Sequence, residues 1–273
     1  MRRLLKPLRV LAAGVCFLAL NAAFFALLVT NALCLDTLPD FSWAAKLQLV
    51  PAVFAADVVV IAAILAVTAL AGRVYCSTVC PLGVFQDLVV FVRRRLTKRG
   101  FSYDRPTLTS RLVPAAILVV SLGAGYSAFD PYGAYGRFVA HLVRPALQWL
   151  VNLGAAWSDA HEKYWLMSDE VAWPSPEALA VSAALLVAIA ALVLWKGRWY
   201  CNHVCPVGLV LGAVARVAPF RPRIDASACV GCGRCASGCR AGAIDVAAKR
   251  IDNSRCVRCF DCAGVCGKGA VKW

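Results

Sequence analysis

The sequence has little charge for its length. Only 16% of its 273 residues are Asp, Glu, Lys or Arg, whereas about a quarter is usual for a soluble domain. It also shows no nucleotide-binding fingerprint, and no nucleic-acid recognition motif accompanies its net charge of +14. These shortages argue against an ordinary soluble domain, a nucleotide-dependent enzyme and a nucleic-acid-binding protein.

Long apolar stretches take the place of the missing charge. Hydrophobic residues make up 61% of the chain, and its mean hydropathy is +0.69. Four stretches of about 18 to 23 residues are each long enough to cross a hydrocarbon core of about 30 Å as a helix: residues 10–32, 49–71, 112–129 and 178–195. The first follows basic residues, as the apolar part of a secretory signal does. It is longer than that part and its cleavage cue is weak, so we expect an uncleaved anchor.

The basic residues predict how these helices are oriented. Lys and Arg concentrate before the first stretch, between the second and the third, and after the fourth, whereas the other two connections hold few of them. Because such residues tend to stay on the cytoplasmic side, we expect four helices spanning an inner (cytoplasmic) membrane, with both termini in the cytoplasm. The same topology, together with anionic lipid, accounts for the net charge.

The strongest cysteine pattern lies near the C-terminal end of the sequence. Two segments, CVGCGRCASGC and CVRCFDCAGVC, each have the spacing C-x2-C-x2-C-x3-C, which is typical of [4Fe-4S] clusters. Three thiolates on a tight loop bind one cluster, and the fourth cysteine reaches across to the other. The pattern predicts one cluster on Cys229, Cys232, Cys235 and Cys266, and a second on Cys256, Cys259, Cys262 and Cys239. Zinc is the alternative, but four-cysteine zinc sites normally use two separated C-x-x-C pairs.

Residues 224–273 resemble the bacterial two-cluster ferredoxin family, and this resemblance implies one-electron transfer. They depart from the family's pattern where Arg240 and Gly267 stand in place of the usual proline. Basic residues flank the predicted clusters: Arg234, Arg240, Arg255, Arg258 and Lys268. They either raise the reduction potential and attract an acidic partner, or they only keep this part of the chain soluble near lipid.

A second cysteine pattern occurs twice, each time after a pair of apolar stretches. Residues 72–84 (GRVYCSTVCPLGV) and 197–209 (GRWYCNHVCPVGL) match at an offset of 125, which indicates an internal duplication. The copies run in parallel, so a pseudo-two-fold axis along the membrane normal would bring together Cys76, Cys80, Cys201 and Cys205. Four thiolates at one point predict a metal or iron–sulfur site or a dithiol relay. The alternative is that these cysteines pack as small apolar groups. His203 has no counterpart in the first copy and is treated as secondary.

Paired apolar helices, two Cys-x-x-x-Cys-Pro motifs and a two-cluster module together resemble the membrane quinol dehydrogenases of periplasmic nitrate reductase systems (the NapH type). Related members serve methylamine utilisation (the MauN type) and nitrous oxide reduction (the NosR type). With the residue patterns, the resemblance implies a mainly α chain: a four-helix membrane domain over residues 1–220 and a cytoplasmic, ferredoxin-like α+β domain over residues 221–273.

The same resemblance implies a function. Electrons would pass between quinone or quinol and a periplasmic or membrane-anchored redox protein, such as a cytochrome or an iron–sulfur subunit. The competing hypothesis is an accessory protein that delivers reductant during the maturation of a periplasmic metalloenzyme.

Two acidic residues bear on where quinol protons go. Asp57 is expected inside the second helix, about 15 residues or 22 Å from Gly72. There it either accepts a quinol proton as the catalytic group or lies hydrated at the outer rim. In the long third connection, residues 138–153 predict an amphipathic helix on the outer face, and Asp130 before it is expected to form a turn.

Overall fold

A computed structural model describes residues 2–33, 42–97, 100–125, 129–162 and 166–273, in which helices predominate and strands are few. The helices are α1 (Arg2–Leu33), α2 (Ser42–Lys46), α3 (Leu49–Phe54), α4 (Val58–Ala71), α5 (Tyr75–Thr78), α6 (Pro81–Leu96), α7 (Thr109–Ala124), α8 (Pro131–Phe138), α9 (Arg144–Ala160), α10 (Pro176–Lys196), α11 (Trp199–His203), α12 (Pro206–Val214), α13 (Arg234–Ser237) and α14 (Asp261–Val265). A π-helical turn, Val139–Val143, joins α8 to α9. The strands are β1 (Arg223–Ile224), β2 (Ile244–Asp245), β3 (Arg250–Ile251) and β4 (Val271–Lys272).

Two helices of the described ranges are long and apolar enough to cross a membrane: Leu4–Ala26, which lies within α1, and Pro176–Lys196, which is α10. The other two expected spans contain shorter apolar helices. α4 has 14 residues and α7 has 16, so they extend about 21 and 24 Å. Membrane association is therefore weakly supported by two helices, and the multi-pass, four-helix arrangement stays a prediction.

The second expected span, residues 49–71, is not the single helix that its composition predicts. Residues 55–57 separate α3 from α4. Ala56 has a left-handed backbone (φ 53°), and Asp57 caps α4, because its Oδ1 accepts a hydrogen bond from the Val60 amide at 3.1 Å. A carboxylate stabilises the N-terminal end of a helix, where amide groups are unpaired. The break therefore lies at the acidic residue that the apolar pattern places inside the helix.

The long third connection is helical, as the pattern of residues 138–153 predicts. α8, the π-helical turn and α9 follow one another without a break, and α8 packs against α6 and α10. Asp130 caps α8, since its carboxylate accepts a hydrogen bond from the Gly133 amide at 2.7 Å. The predicted turn residue is therefore a helix cap, and several large apolar side chains of α9 stay exposed.

The C-terminal part has the α+β character that the ferredoxin resemblance implies. β1 pairs antiparallel with β4, and β2 with β3, so the first and last strands of this part are hydrogen-bonded to each other. Buried residues of the helical part and of the C-terminal part form one core cluster, which includes Tyr75, Val193, Ile244 and Val257. This cluster extends across the boundary predicted between residues 220 and 221, and the division into two domains stays a prediction.

Candidate iron–sulfur sites

The first predicted cluster site surrounds one cavity of about 370 Å³, which is lined by the four residues we call the outer set: Cys229, Cys232, Cys235 and Cys266. The first three lie on the loop that enters α13 and on α13 itself, and the fourth directly follows α14. The loop coils tightly because Gly231 and Gly233 have left-handed backbones (φ 70° and 71°), which glycine adopts without strain. Cys232 is exposed and the other three are partly buried, so this site opens to the surface.

The second predicted site is a smaller cavity lined by the inner set: Cys239, Cys256, Cys259 and Cys262. Apolar side chains, among them Ile244, Ile251 and Trp273, complete the lining. Three of these cysteines are only 8% exposed, and burial raises the pKa of Cys239 to about 12. Three cysteines of the inner set are thus shielded from water and Cys256 is partly buried, whereas in the outer set three are partly buried and Cys232 is exposed.

The two cysteine motifs share a backbone path although their residues differ. Arg258 and Phe260 occupy in the second motif the positions of Gly231 and Gly233 in the first, and they too have left-handed backbones (φ 55° and 62°). This conformation costs on the order of 1–3 kcal/mol for a residue with a side chain. The contacts of the side chain offset that cost: Arg258 Nε donates to the carbonyl oxygen of Ala71 at 2.9 Å.

The four cysteines of each set line one cavity, as the ligands of one cluster must. Within the part of the chain that the structure describes, no three His, Cys, Asp or Glu side chains are grouped so as to hold one metal ion. A [4Fe-4S] cluster differs from a single ion in that its thiolates bind four iron atoms, and four-cysteine zinc stays the alternative. The two sets would hold such clusters, which supply one-electron chemistry when bound.

The two copies of the repeat, residues 72–84 and 197–209, are called the membrane-edge motifs because the sequence predicts them where apolar spans end. They place four buried cysteines at the contact between the copies: Cys76, Cys80, Cys201 and Cys205. Cys80 and Cys205 begin α6 and α12 in the same way. Each is the N-cap, and its sulfur accepts a hydrogen bond at 3.4 Å from the amide of the glycine three residues later. A proline follows at the first helical position, where its missing amide proton is not needed. The two copies therefore adopt the same local structure.

The arginine of each copy binds the other copy. Arg73 donates to the Cys201 carbonyl oxygen at 3.1 Å, and Arg198 donates to the Cys76 carbonyl oxygen at 2.6 Å. Both guanidinium groups are buried. The glycine two residues after each proline leaves room for the same carbonyl group: a Cβ atom at Gly83 would overlap the Cys76 oxygen, and Gly208 repeats this contact with Cys201. The sequence match includes these residues but does not predict the exchange.

Burial raises the pKa of Cys80, Cys201 and Cys205 and so favours their neutral thiol form, although Arg198 and Arg73 oppose this effect at Cys201. Thiolates, rather than thiols, bind metals, so a bound metal centre would have to offset this effect. Among the residues described, these four are not grouped as a single ion requires, and their metal or redox role stays a prediction.

An ion-pair network that the sequence does not predict joins this region to the inner set. Asp87 on α6 pairs with three buried arginines: Arg9 at 2.8 Å, Arg198 at 2.6 Å and Arg240 at 2.9 Å. Burial opposes ionisation of Asp87, but the three guanidinium groups hold its pKa well below its usual range. Arg240 also pairs with Asp261. Because the partners are far apart in the sequence, local patterns do not predict these ion pairs. The one local sign is that Arg240 stands where the ferredoxin pattern has a proline.

Two other predicted residues have different surroundings. His203 Nε2 lies 3.3 Å from the Asp104 carboxylate, and burial lowers its pKa. Asp57 begins α4, and the other end of that helix leads to Cys76, so about 21 Å of helix separates the two ends. The structure does not bring Asp57 to the cysteines.

Comparison with known proteins identifies the kind of domain. A family model described as a 4Fe-4S binding domain matches residues 56–99 and 178–225, one match on each copy of the repeat, and a second model with this description matches residues 221–244. The chain carries 4Fe-4S ferredoxin-type domains. The prediction of iron–sulfur binding is therefore confirmed at this level, whereas the number of clusters and their individual ligands stay predictions.

Curated relatives point to electron-transport proteins. The chain is 24% identical over 202 residues to the putative electron transport protein YccM of Escherichia coli, which covers 69% of this chain and 47% of that protein. It is 27% identical over 171 residues to the methylamine utilization ferredoxin-type protein MauN of Methylobacillus flagellatus, covering 62% and 48%.

An uncharacterized protein, MJ0749, of Methanocaldococcus jannaschii is 28% identical over 170 residues, covering 62% of this chain and 52% of that protein. The chain spans about half the length of the curated relatives it matches. No solved structure matches it. Homology to ferredoxin-type proteins of the MauN and YccM kind is thus established, and the resemblance to the NapH and NosR types stays a proposal.

Proposed function

We propose that this chain is a membrane electron-transfer subunit that passes electrons between the quinol pool and a redox partner through iron–sulfur clusters. The observation that carries the proposal is the arrangement of twelve cysteines in three adjoining groups. Four are buried where the apolar helices end, four form the inner set, and four form the outer set that opens to the surface. In the topology proposed below, such a series would lead from the edge of the bilayer to the protein surface.

The proposal assigns roles to the chain's own residues. The outer and inner sets each hold one [4Fe-4S] cluster. The membrane-edge cysteines hold a further metal or iron–sulfur centre, which the 4Fe-4S family match on each copy of the repeat supports. Oxidation of one quinol releases two electrons and two protons. The electrons leave singly, because iron–sulfur clusters act as one-electron carriers, and a periplasmic or membrane-anchored redox protein takes them up.

The proposed topology has four spans in the inner membrane with both termini in the cytoplasm. α1 and α10 have the length for this, and α4 and α7 are apolar but shorter. A thinner local bilayer or polar flanking residues accommodate short spans at modest cost. Fusions of a reporter that fluoresces only in the cytoplasm, placed after residue 273 and within residues 163–165, test this arrangement. Fluorescence of the first fusion alone is expected, and the opposite pattern would contradict it.

Asp57 is the proposed proton acceptor for quinol. It is partly buried at the start of α4, which is the end of that helix away from Cys76 and Cys80. Its carboxylate accepts one hydrogen bond, from Val60, and a carboxylate has further lone pairs for a quinol hydroxyl. A group that both caps a helix and takes up a proton needs a variant that separates the two roles, and asparagine does so because it retains the cap.

The deciding experiment is a titration with a quinol analogue. The chain is purified anaerobically in detergent, and electron paramagnetic resonance follows its clusters as the ratio of quinol to quinone changes. Clusters that are reduced by quinol or oxidised by quinone support the proposal. Clusters that respond to dithionite but not to either quinone form would overturn it and favour reductant delivery to a maturing metalloenzyme.

A further inference from the structure

The two cysteine sets differ in what surrounds them. Cys232 of the outer set is exposed, whereas Cys239, Cys259 and Cys262 of the inner set are 8% exposed each. The lining of the inner cavity comes from side chains of the C-terminal part, including Phe260 and Trp273. The membrane-edge repeat binds the chain segments beside two cysteines of this set, Cys239 and Cys256.

The second copy of the repeat binds the chain beside Cys239. The Arg198 amide donates to the carbonyl oxygen of Arg240 at 2.8 Å, and Asn202 Nδ2 donates to the carbonyl oxygen of Ala241 at 3.0 Å. The approach is close, because a Cβ atom on the preceding glycine of the repeat would overlap the Arg240 oxygen. The segment after the inner cysteine is thus attached directly to the motif that contains two membrane-edge cysteines.

The first copy binds the chain beside Cys256. Arg73 Nη1 donates to the carbonyl oxygen of Ser254 at 3.0 Å, while the same guanidinium binds the Cys201 carbonyl group through Nη2. One side chain therefore contacts both the membrane-edge motif and the loop of the inner set. A second contact runs in the opposite direction: Arg258, between Cys256 and Cys259, donates to the carbonyl oxygen of Ala71 just before the first copy of the repeat.

Ion pairs of Arg240 also connect the inner set with the repeat. Its guanidinium pairs with Asp87, which also pairs with Arg198 of the repeat, and with Asp261. In the sequence Arg240 follows Cys239 and Asp261 precedes Cys262, so this ion pair links the chain at two ligands of the inner set. Arg240 is 7% exposed. A proline, which the ferredoxin pattern has here, offers neither the charge nor the contacts.

We infer that the inner set is the redox site coupled to the membrane-edge cysteines, that the outer set is the site that exchanges electrons with a partner at the surface, and that Arg240 is the positioning residue that fixes this order. The inference deepens the proposed function and rests on it for the presence of two clusters. A buried positive charge beside an anionic cluster favours the reduced form. Arg240 thereby also raises the reduction potential of the inner cluster.

The first test measures the two reduction potentials separately. The full-length chain with its clusters is titrated with dithionite and followed by electron paramagnetic resonance, and the signals are assigned with Cys232→Ser and Cys259→Ser. In Arg240→Gln the reduction potential of the inner cluster is expected to fall while that of the outer cluster stays unchanged. In Arg240→Lys the reduction potential of the inner cluster should stay close to the wild-type value, because lysine keeps the positive charge. Arg234→Gln is the matched control, because Arg234 precedes the outer Cys235 but is exposed. An equal shift of both clusters in Arg240→Gln, or no shift of the inner one, would overturn the assignment.

The second test measures access from water and uses the wild-type chain. A water-soluble paramagnetic relaxing agent is added to the reduced protein, and the spin relaxation of each cluster is recorded. The outer signal is expected to relax faster as the agent is added, and the inner signal should change little. Equal effects would refute the order. Neither test uses quinone, so clusters that ignore quinol would remove the proposed function and leave this inference standing.

Discussion

Replacing Asp87 by asparagine removes the one carboxylate that three buried arginines share. The side chains of Arg9, Arg198 and Arg240 are 7%, 0% and 9% exposed, and that of Asp87 is 12% exposed. Removing one partner of a buried pair leaves uncompensated charge and costs about 3–5 kcal/mol. Among the residues that the structure describes, only Arg240 keeps a second carboxylate, so we expect Asp87→Asn to lose stability within that range.

The assay is thermal unfolding in detergent, followed by tryptophan fluorescence. A loss of about 1 kcal/mol lowers the melting temperature of a chain of this size by roughly 2–4 °C, so the effect of Asp87→Asn is easily resolved. Asp225→Asn is the matched control, because Asp225 pairs with Lys272 at the surface, where ion pairs contribute little. Adding Arg9→Gln to Asp87→Asn should restore part of the loss by removing one unpaired cation.

The dependence on pH gives an independent check of the same network. A carboxyl group whose pKa is lowered by folding contributes stability above its unfolded value of about 3.9, and that contribution is lost as pH falls toward the folded value. The pKa of Asp87 is lowered in this way. The stability difference between wild type and Asp87→Asn should therefore be constant above about pH 5 and shrink below about pH 4. A difference no larger than that of Asp225→Asn, or one that grows in acid, would refute the reasoning.

Three further outcomes are expected. Asp57→Asn should lower quinol-dependent reduction of the clusters at least tenfold with little loss of thermal stability; equal activity would exclude proton uptake at this residue. Gly208→Ala should destabilise the chain strongly, because its Cβ would overlap the Cys201 carbonyl oxygen. Gly123→Ala is the control and should be neutral, because nothing lies within 4 Å of the added Cβ. Similar melting temperatures for the two variants would contradict this. Cys76→Ser combined with Cys201→Ser should lower the iron or other metal content per chain, and an unchanged content would leave only apolar packing.

Features that depend on neighbouring residues were predictable. The spacing of the C-terminal cysteines predicts which four residues surround each cavity, because the ligands of a cluster must come from a tight loop and its nearest partner segment. The match between the two copies of the repeat likewise predicts that they adopt the same local structure. Both patterns constrain only short stretches of backbone, and short stretches retain their geometry in the fold.

Features that depend on distant residues were not predictable. One local feature was also missed: the hydropathy of residues 49–71 predicts a single helix, whereas Asp57 caps α4 and the helix is interrupted just before it. The ion pairs of Asp87 link residues more than 70 positions apart, and nothing in the local sequence marks them. The hydrogen bonds between the inner set and the repeat have the same origin, because they join residues more than 100 positions apart.

The exchanged arginines have a consequence for biosynthesis. The carbonyl group of Cys76 is bound by a side chain that the ribosome adds 122 residues later, and the corresponding group in the second copy is bound by an arginine made long before it. The first half therefore waits, incompletely bonded, until translation has passed position 198. A product that stops before position 198 lacks Arg198 and its contact with the Cys76 carbonyl group, so it cannot complete the site at which we propose a metal or iron–sulfur centre.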